Sequence, residues 1–227
     1  MTRLVTVDGP SGSGKTTLGR RLAVALRLPL VDTGLFYRGL TVAAGRAGVS
    51  PADGDAMADL VRRTDLRIST DAGGPNAGTV LVDGVDAGHA LRDPHNAALL
   101  SRISSIPSVR AALLAPQRAL AGHGAVAVGR DCGTVVFPDA DVKIYLEAPE
   151  AVRSRRRARQ LREPGASADS IAAGVEVGVR DRIDTERAVA PLRPAVDAHI
   201  IDTGAHGIEE VVTQALALCA AAGLLPA

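Results

Sequence analysis

Nine residues, Gly9-Pro10-Ser11-Gly12-Ser13-Gly14-Lys15-Thr16-Thr17, contain a complete G-x-x-x-x-G-K-[ST] pattern. Its chemistry is phosphate binding. Glycines let the backbone curl until successive N–H groups point at phosphate oxygens, and a helix opening at Lys15 adds partial positive charge. Lys15 then reaches the β- and γ-phosphates of a nucleoside triphosphate, and the Thr16 hydroxyl is placed for Mg²⁺. A second concentration of chemistry lies far along the chain. Arg153, Arg155, Arg156, Arg157, Arg159 and Arg162 crowd one helical stretch ending at Pro164-Gly165. Like charges at i,i+4 oppose helix formation by a few tenths of a kcal/mol per pair, so the crowding needs a reason. A solvated basic face or a nucleic-acid surface would use such a run, but no aromatic residue interleaves it for base stacking. Beside a phosphate loop the better account is a lid that brings guanidinium groups onto a transferring phosphoryl. One such arginine contributes on the order of 10³–10⁵ in rate. Two or three of the six are expected to face solvent.

These groups need a frame. Leu4–Val7, Leu30–Val31, Ala125–Val128, Val142–Leu146 and Ile200–Ile201 are short apolar runs that predict buried parallel strands. Helical stretches separate most of them, which predicts a doubly wound α/β sheet. Leu18, Leu22, Ala25 and Leu26 predict the buried face of the helix after the loop, and Ile208–Ala222 predicts a last helix packing through Val211, Val212, Ala215, Leu216 and Cys219. Ligands on such sheets bind beyond the carboxyl ends of the strands. That edge includes Asp8, Asp32-Thr33-Gly34, Gly129-Arg130-Asp131, Glu147 and Asp202-Thr203. Between about 64 and 88, Leu66-Arg67-Ile68-Ser69 and Thr79-Val80-Leu81-Val82 flank a glycine-rich turn segment and predict a small antiparallel insertion. Asp139 and Asp141 are expected in a turn near a strand start.

Composition narrows the function. The 227 residues suit one core with insertions. A net charge of +1 does not suggest a nucleic-acid or membrane-surface protein. Cys132 and Cys219 are the only cysteines, which argues against a disulfide scaffold or zinc site and fits a reducing compartment. No basic-then-apolar leader and no apolar run of membrane length is evident, so a cytoplasmic protein is expected. Only Lys15 and Lys143 are lysines among 26 basic residues. In a chain this biased to arginine, lysine stands where phosphate needs a compact ammonium on a flexible stem.

Arg38, Arg110, Arg130, Arg180 and Arg187 recur at the expected ligand edge. Bidentate guanidinium suits a phosphate monoester. Such an acceptor, with a second pKa of ~6, is already largely a dianion at neutral pH, whereas an alcohol acceptor would call for a positioned carboxylate. The arginines therefore favour a nucleoside monophosphate as second substrate.

Four blocks together resemble bacterial cytidylate (CMP) kinases, a nucleoside monophosphate kinase family of P-loop NTPases, and the resemblance covers essentially the whole chain. They are Asp8–Lys15, Asp32-Thr33-Gly34-Leu35-Phe36-Tyr37-Arg38, Gly129–Ala140, and Arg187-Ala188-Val189-Ala190-Pro191-Leu192. The resemblance implies a three-layer P-loop fold with a central five-stranded parallel sheet. It also implies a core of residues 1–35, 114–150 and 168–227, a monophosphate-binding part at 36–113 carrying the β insertion, and a lid at 151–167. The implied activity is direct in-line transfer of the ATP γ-phosphoryl to CMP and dCMP, with Mg²⁺ accompanying ATP on Thr16, in a monomer. The acceptor set it implies is Thr33, Tyr37, Arg38, Ser101, Arg110, Arg130, Asp131, Arg180, Asp184 and Arg187. Arg38 would meet the phosphate, Ser101 the cytosine, and Asp184 the pentose. Lys15, Arg130, Arg153, Arg157 and Arg187 would serve the transferred phosphoryl, with Arg156 in the lid.

Where many members have an acidic residue before Gly-Arg-Asp, this chain has Val128, which leaves Thr16, water and phosphates as the expected Mg²⁺ ligands. Plainer roles stand beside these: Asp131 as a turn cap or a partner of Arg130, Ser101 as a helix N-cap, and Arg110 and Arg180 as surface ion-pair partners. Kinases for other monophosphates or alcohols, and nucleotide-dependent switches, also carry phosphate loops. The Asn-Lys-x-Asp of guanine switches and the Leu-Ser-Gly-Gly-Gln of transporter ATPases are both missing here.

Overall fold

The apolar run before the glycine loop forms β1 (Arg3–Asp8), the middle strand of a sheet covered on both faces. The computed structural model describes residues 3–74, 76–88, 90–92, 94–161 and 170–226. After β1 come α1 (Lys15–Leu26), β2 (Leu30–Asp32), α2 (Thr33–Ala47), α3 (Gly54–Arg63), β3 (Leu66–Ile68), β4 (Val80–Val82) and β5 (Val85–Asp86). Then follow α4 (Pro94–Ser105), α5 (Pro107–Ala121), β6 (Gly124–Val128), β7 (Val142–Glu147), α6 (Glu150–Leu161), α7 (Ser170–Glu186), β8 (His199–Asp202) and α8 (Ile208–Ala221).

The main sheet has order β2-β6-β1-β7-β8 with every pairing parallel. Val5 of β1 lies opposite Val126 of β6 and Val142 of β7, so β-branched side chains stack across the layers. All five expected strands are present, each a residue or more longer than its apolar run. The polar residues at their ends, such as Asp8 and Asp32, reach the carboxyl edge. On one face α1 buries Leu18, Leu22 and Leu26 and α8 buries Val211, Ala215 and Cys219. Each such leucine contributes about 1.5–3 kcal/mol. One expectation is corrected: Ala25 is exposed, and Ala23 takes the buried position, because it is the residue one turn before Leu26 and after Gly19 that meets the sheet.

The insertion is a three-stranded antiparallel sheet, β3-β4-β5. Leu66 and Ile68 pair with Val82 and Val80, and β4 turns into β5 through Asp83 (φ 52) and Gly84 (φ 79), the positive pair a tight hairpin turn needs. The third strand was not anticipated, since two residues are too short to show a period. Ile68, Val80 and Val82 join Phe36 and Leu40 of α2 and Ile103, Val109 and Leu113 of α4 and α5 in a second core. Helices α6 and α7 pack on each other. Residues 162–169, which include Arg162, Pro164 and Gly165 of the expected lid, lie outside the described residues. Among the described residues no helix is long and apolar enough to cross a membrane.

Candidate active site

The glycine loop leaves β1 at Asp8 and enters α1 through Gly14, whose φ of 95 a non-glycine residue rarely adopts. No side chain caps α1, so its first-turn N–H groups are available to an anion. Gly12 (φ 74) runs so close to α6 that a Cβ there would stand 2.7 Å from the Arg153 carbonyl oxygen. Lys15 is mostly buried and its ammonium donates to the Pro10 carbonyl at 2.6 Å. Burial and the Arg130 and Arg180 charges push the Lys15 pKa well below the ordinary lysine value, while Asp181 and Asp32 oppose that shift. Thr16 and Thr17 are exposed. Ser11, Gly12, Gly14, Lys15, Thr16 and Thr17 line a cleft; Gly9, Pro10 and Ser13 stand behind it. Ser13 is fully buried, and its hydroxyl has no partner among the described residues.

Across the cleft stands a wall of charged side chains from four elements and the β6 exit loop. Asp131 is ion-paired with Arg110 of α5 and, at 3.5 Å, with Arg187. Asp184 of α7 accepts from Arg130 Nε at 2.9 Å and from Arg187 Nη1 at 3.2 Å. Arg110, Asp131, Arg187, Asp184 and Arg130 thus form one alternating chain, almost wholly removed from solvent. Burying such charges is costly unless each is paired, and here each has a counter-charge. Asp131 does not pair with Arg130, as its adjacency had suggested, because the turn after β6 sends the two side chains to different partners.

Arg110 also donates to the Ser104 carbonyl at 3.0 Å and lies 5.4 Å from the centre of the Tyr37 ring. Burial raises the Tyr37 phenol to about 12, so it stays a neutral hydrogen-bonding group. Arg38, Arg157 and Arg180 complete the basic lining with Arg130 and Arg187. Burial, Arg130 and Arg38 push the Arg180 pKa down to about 9, the signature of crowded cations that an anion would relieve.

Asp8 fixes the β6 exit. Its two carboxylate oxygens accept N–H groups from Cys132 at 2.9 Å and Gly133 at 2.7 Å, directly after Arg130-Asp131. Desolvation raises its pKa to about 6. Burial likewise raises the Cys132 thiol well above its usual value, so that cysteine is no nucleophile. Thr33 is buried at the cleft floor and donates to the Val128 carbonyl at 3.1 Å.

Some of the anticipated residues fall elsewhere. Ser101 sits in the interior of α4, where it caps nothing, and does not line the cleft. One turn later Ser104 does, and its hydroxyl donates to the Ser101 carbonyl at 3.1 Å. Arg153 and Arg156 are also turned away from the cleft. Arg153 donates to Ser11 O and Ala148 O, each at 3.0 Å, and pairs with Asp181. Arg156 donates to Thr203, whose hydroxyl lies 3.0 Å from Ser13 O. Of the described arginines in this run only Arg157 faces the cleft, while Arg155 and Arg159 are exposed. Asp181, Asp8, Ser104 and Thr203 are site residues that sequence reasoning left without roles. Asp181 carried one signal: it follows Arg180 and precedes Asp184 by three residues, on one helical stripe.

Among the described residues no group of three His, Cys, Asp or Glu side chains could hold a metal by itself. The cleft offers the Thr16 hydroxyl and the Asp32 carboxylate as oxygen donors. That suits a hard cation whose other ligands are water and phosphate. Val128 is a core residue and supplies no carboxylate.

A phosphate loop facing an arginine-lined wall at the carboxyl edge of a five-stranded parallel sheet defines a P-loop kinase, a phosphotransferase. The family model for cytidylate kinase matches residues 5–221. A cytidylate kinase of Corynebacterium efficiens is 43% identical, covering 95% of this chain and 93% of that protein. One of Vibrio cholerae is 44% identical, covering 95% of each. Among solved structures, an uncharacterized protein from Eubacterium ventriosum has a TM-score of 0.53 at 12% identity, over 97% of this chain and 99% of that one. That likeness concerns the fold alone. The chain belongs to the cytidylate kinase family.

Proposed function

We propose that this protein transfers the γ-phosphoryl of ATP in line to the phosphate of CMP and dCMP. The observation that carries the reading is the opposition, within one cleft, of a backbone-built anion cradle and a wall of arginines suited to a second phosphate. Lys15 leaves Pro10 O to follow the β- and γ-phosphates. Arg157 enters from α6, and Arg130, Arg180 and Arg187 stabilise charge on the moving phosphoryl. The acceptor phosphate is a nucleophile without a general base, so the protein's task is positioning and charge stabilisation. Tyr37, Arg38, Arg110, Asp131 and Thr33 hold the acceptor. Ser104, which lines the cleft one turn after Ser101, takes the role expected of Ser101 toward the exocyclic amine of cytosine, and Asp184 serves the pentose.

Thr16, with Asp32 within the same lining, would hold the Mg²⁺ that accompanies ATP, and the ion would supply positive charge to offset that of the phosphates. Residues 36–113 form the acceptor part and 151–167 the lid, of which Arg153 and Arg156 serve as braces in this arrangement. The protein works as a cytoplasmic monomer. An assay of ADP release across CMP, dCMP, UMP, AMP and GMP tests the reading. Turnover confined to, or strongly favouring, the cytidine nucleotides is expected; equal turnover of all five overturns it.

A further inference from the structure

Both backbone polar groups of Ser11 are held by residues outside the glycine loop. The Ser11 N–H donates to Asp181 Oδ1 at 2.8 Å, and the Ser11 carbonyl accepts from Arg153 Nη1 at 3.0 Å. Asp181 and Arg153 are in turn ion-paired, and both side chains are nearly buried. The loop, α6 and α7 therefore close one polar circuit at Ser11. Gly12 passes close to α6, where a side chain would collide with the Arg153 carbonyl.

Helix α7 has a second load. Arg180 and Asp184, either side of Asp181, are the groups it contributes to the acceptor wall, with Arg187 following just past its end. Asp181 is thus where the helix that shapes the acceptor side touches the loop that holds the donor.

A plain brace between α6 and α7 would need only the Arg153–Asp181 pair. Here the carboxylate also occupies a backbone N–H of a phosphate loop, a class of group that otherwise faces phosphate. Its negative charge at the donor end is tolerable because Arg153 neutralises it. A triphosphate arriving beside Ser11 adds charge that repels Asp181 and attracts Arg153. The free energy of this contact therefore depends on whether the loop is occupied, and a contact whose energy depends on ligation can shift the position of the element that makes it. We infer that Asp181 is a positioning residue that couples donor occupancy of the phosphate loop to the arrangement of the acceptor wall. Because binding linkage is reciprocal, CMP must also alter affinity for ATP by the same factor. This inference rests on the reading that the two substrates are ATP and CMP.

The test is equilibrium titration of CMP, alone and with a saturating non-hydrolysable ATP analogue, on the full chain and on Asp181→Asn and Asp181→Ala, with melting curves for each. In the unaltered protein the analogue is expected to change CMP affinity about fivefold or more. In folded Asp181→Asn, which keeps an oxygen for the Ser11 N–H but loses the ion pair, the factor is expected to fall to about one. A merely structural Asp181 would lower the melting temperature and leave the factor intact, and that result overturns the inference. So does a factor of about one in the unaltered protein. Should Asp181→Ala not fold, the Asn variant decides. Failure of the unaltered protein to bind CMP at all would instead overturn the functional reading, and the inference with it.

Discussion

The two sides of the cleft hold phosphate by opposite means. On the donor side, the loop from Gly9 to Thr17 uses backbone N–H groups, a helix terminus and one lysine. Its shape comes from local dihedrals, with Gly12 and Gly14 in the left-handed region. On the acceptor side almost nothing is backbone: three guanidinium groups and two carboxylates alternate, buried, from α5, the β6 exit, α7 and the residue just past it. The loop's curl is set by its own dihedrals, and Asp181, Arg153 and Thr203 pin it from outside at Ser11 and Ser13. The wall stands only while every charge keeps its partner, because a lone buried charge costs several kcal/mol. Shape arises locally in one case and through pairing in the other.

This contrast separates the effects of mutation. Lys15→Ala should lower kcat/KM by about 10³ or more, since it removes a preorganised donor from the transferring phosphoryl, while circular dichroism and melting stay near those of the unaltered chain. Retained turnover would refute a catalytic donor side. Asp131→Ala should do the reverse. It strips the shared counter-charge from Arg110 and Arg187 and should destabilise the fold by about 3 kcal/mol, read by urea unfolding. A loss under ~1 kcal/mol would mean that the wall is held by packing and not by charge pairing.

Asp184→Asn keeps the volume but weakens the hold on Arg130 and Arg187. Turnover of CMP should drop about tenfold more than that of dCMP, by loss of one charged hydrogen bond to the ribose. Equal losses would remove Asp184 from the pentose and leave it a wall residue only. The smallest effect concerns Asp8, whose carboxyl is held at about 6 against a usual 3.8. Between those values the folded protein keeps a proton that the unfolded chain has released, so this group's contribution to stability is full at low pH and is lost as pH rises through about 6. In Asp8→Asn that decline should be missing, so the stability difference between the unaltered chain and the variant should fall as pH rises from about 3.8 through about 6; a pH-independent difference would place Asp8 outside the titrating set.

Much of the frame was readable along the chain. The five parallel strands, the helix behind the loop and the β insertion followed from apolar runs and turn residues, because each is governed by neighbours a few positions away. Ala25 failed for a related reason. Periodicity locates the centre of a buried face, but the residue at its margin depends on which side of the helix the sheet occupies. The short β5 carried no pattern of its own and exists because β4 offered it a pairing edge.

Site residues divided the same way. Lys15, Thr16, Arg38, Arg130 and Arg180 were identified by type and position, and all line the cleft. Within the arginine run the sequence showed density but not direction. Arg157 faces the cleft while Arg153 and Arg156, four residues and one residue before it on the same helix, brace the loop and the β8 exit. A helix turns side chains by about 100° per residue, so which arginine reaches phosphate follows from how α6 is docked. Ser101 and Ser104 differ by one turn for the same reason.

By itself, then, the sequence determined the phosphate loop, the order of the elements and the choice of arginine and aspartate as the acceptor side's chemistry. Those depend on dihedral freedom, periodicity and side-chain type, all properties of short segments. Tertiary structure alone decided the pairing. Arg110 meets Asp131 across 21 positions of chain, Arg130 meets Asp184 across 54, and Arg187 meets Asp131 across 56. Nothing in residue type distinguishes those partners from other arginines and aspartates nearby. The fold selects them, because only charges brought together out of water must be matched one to another.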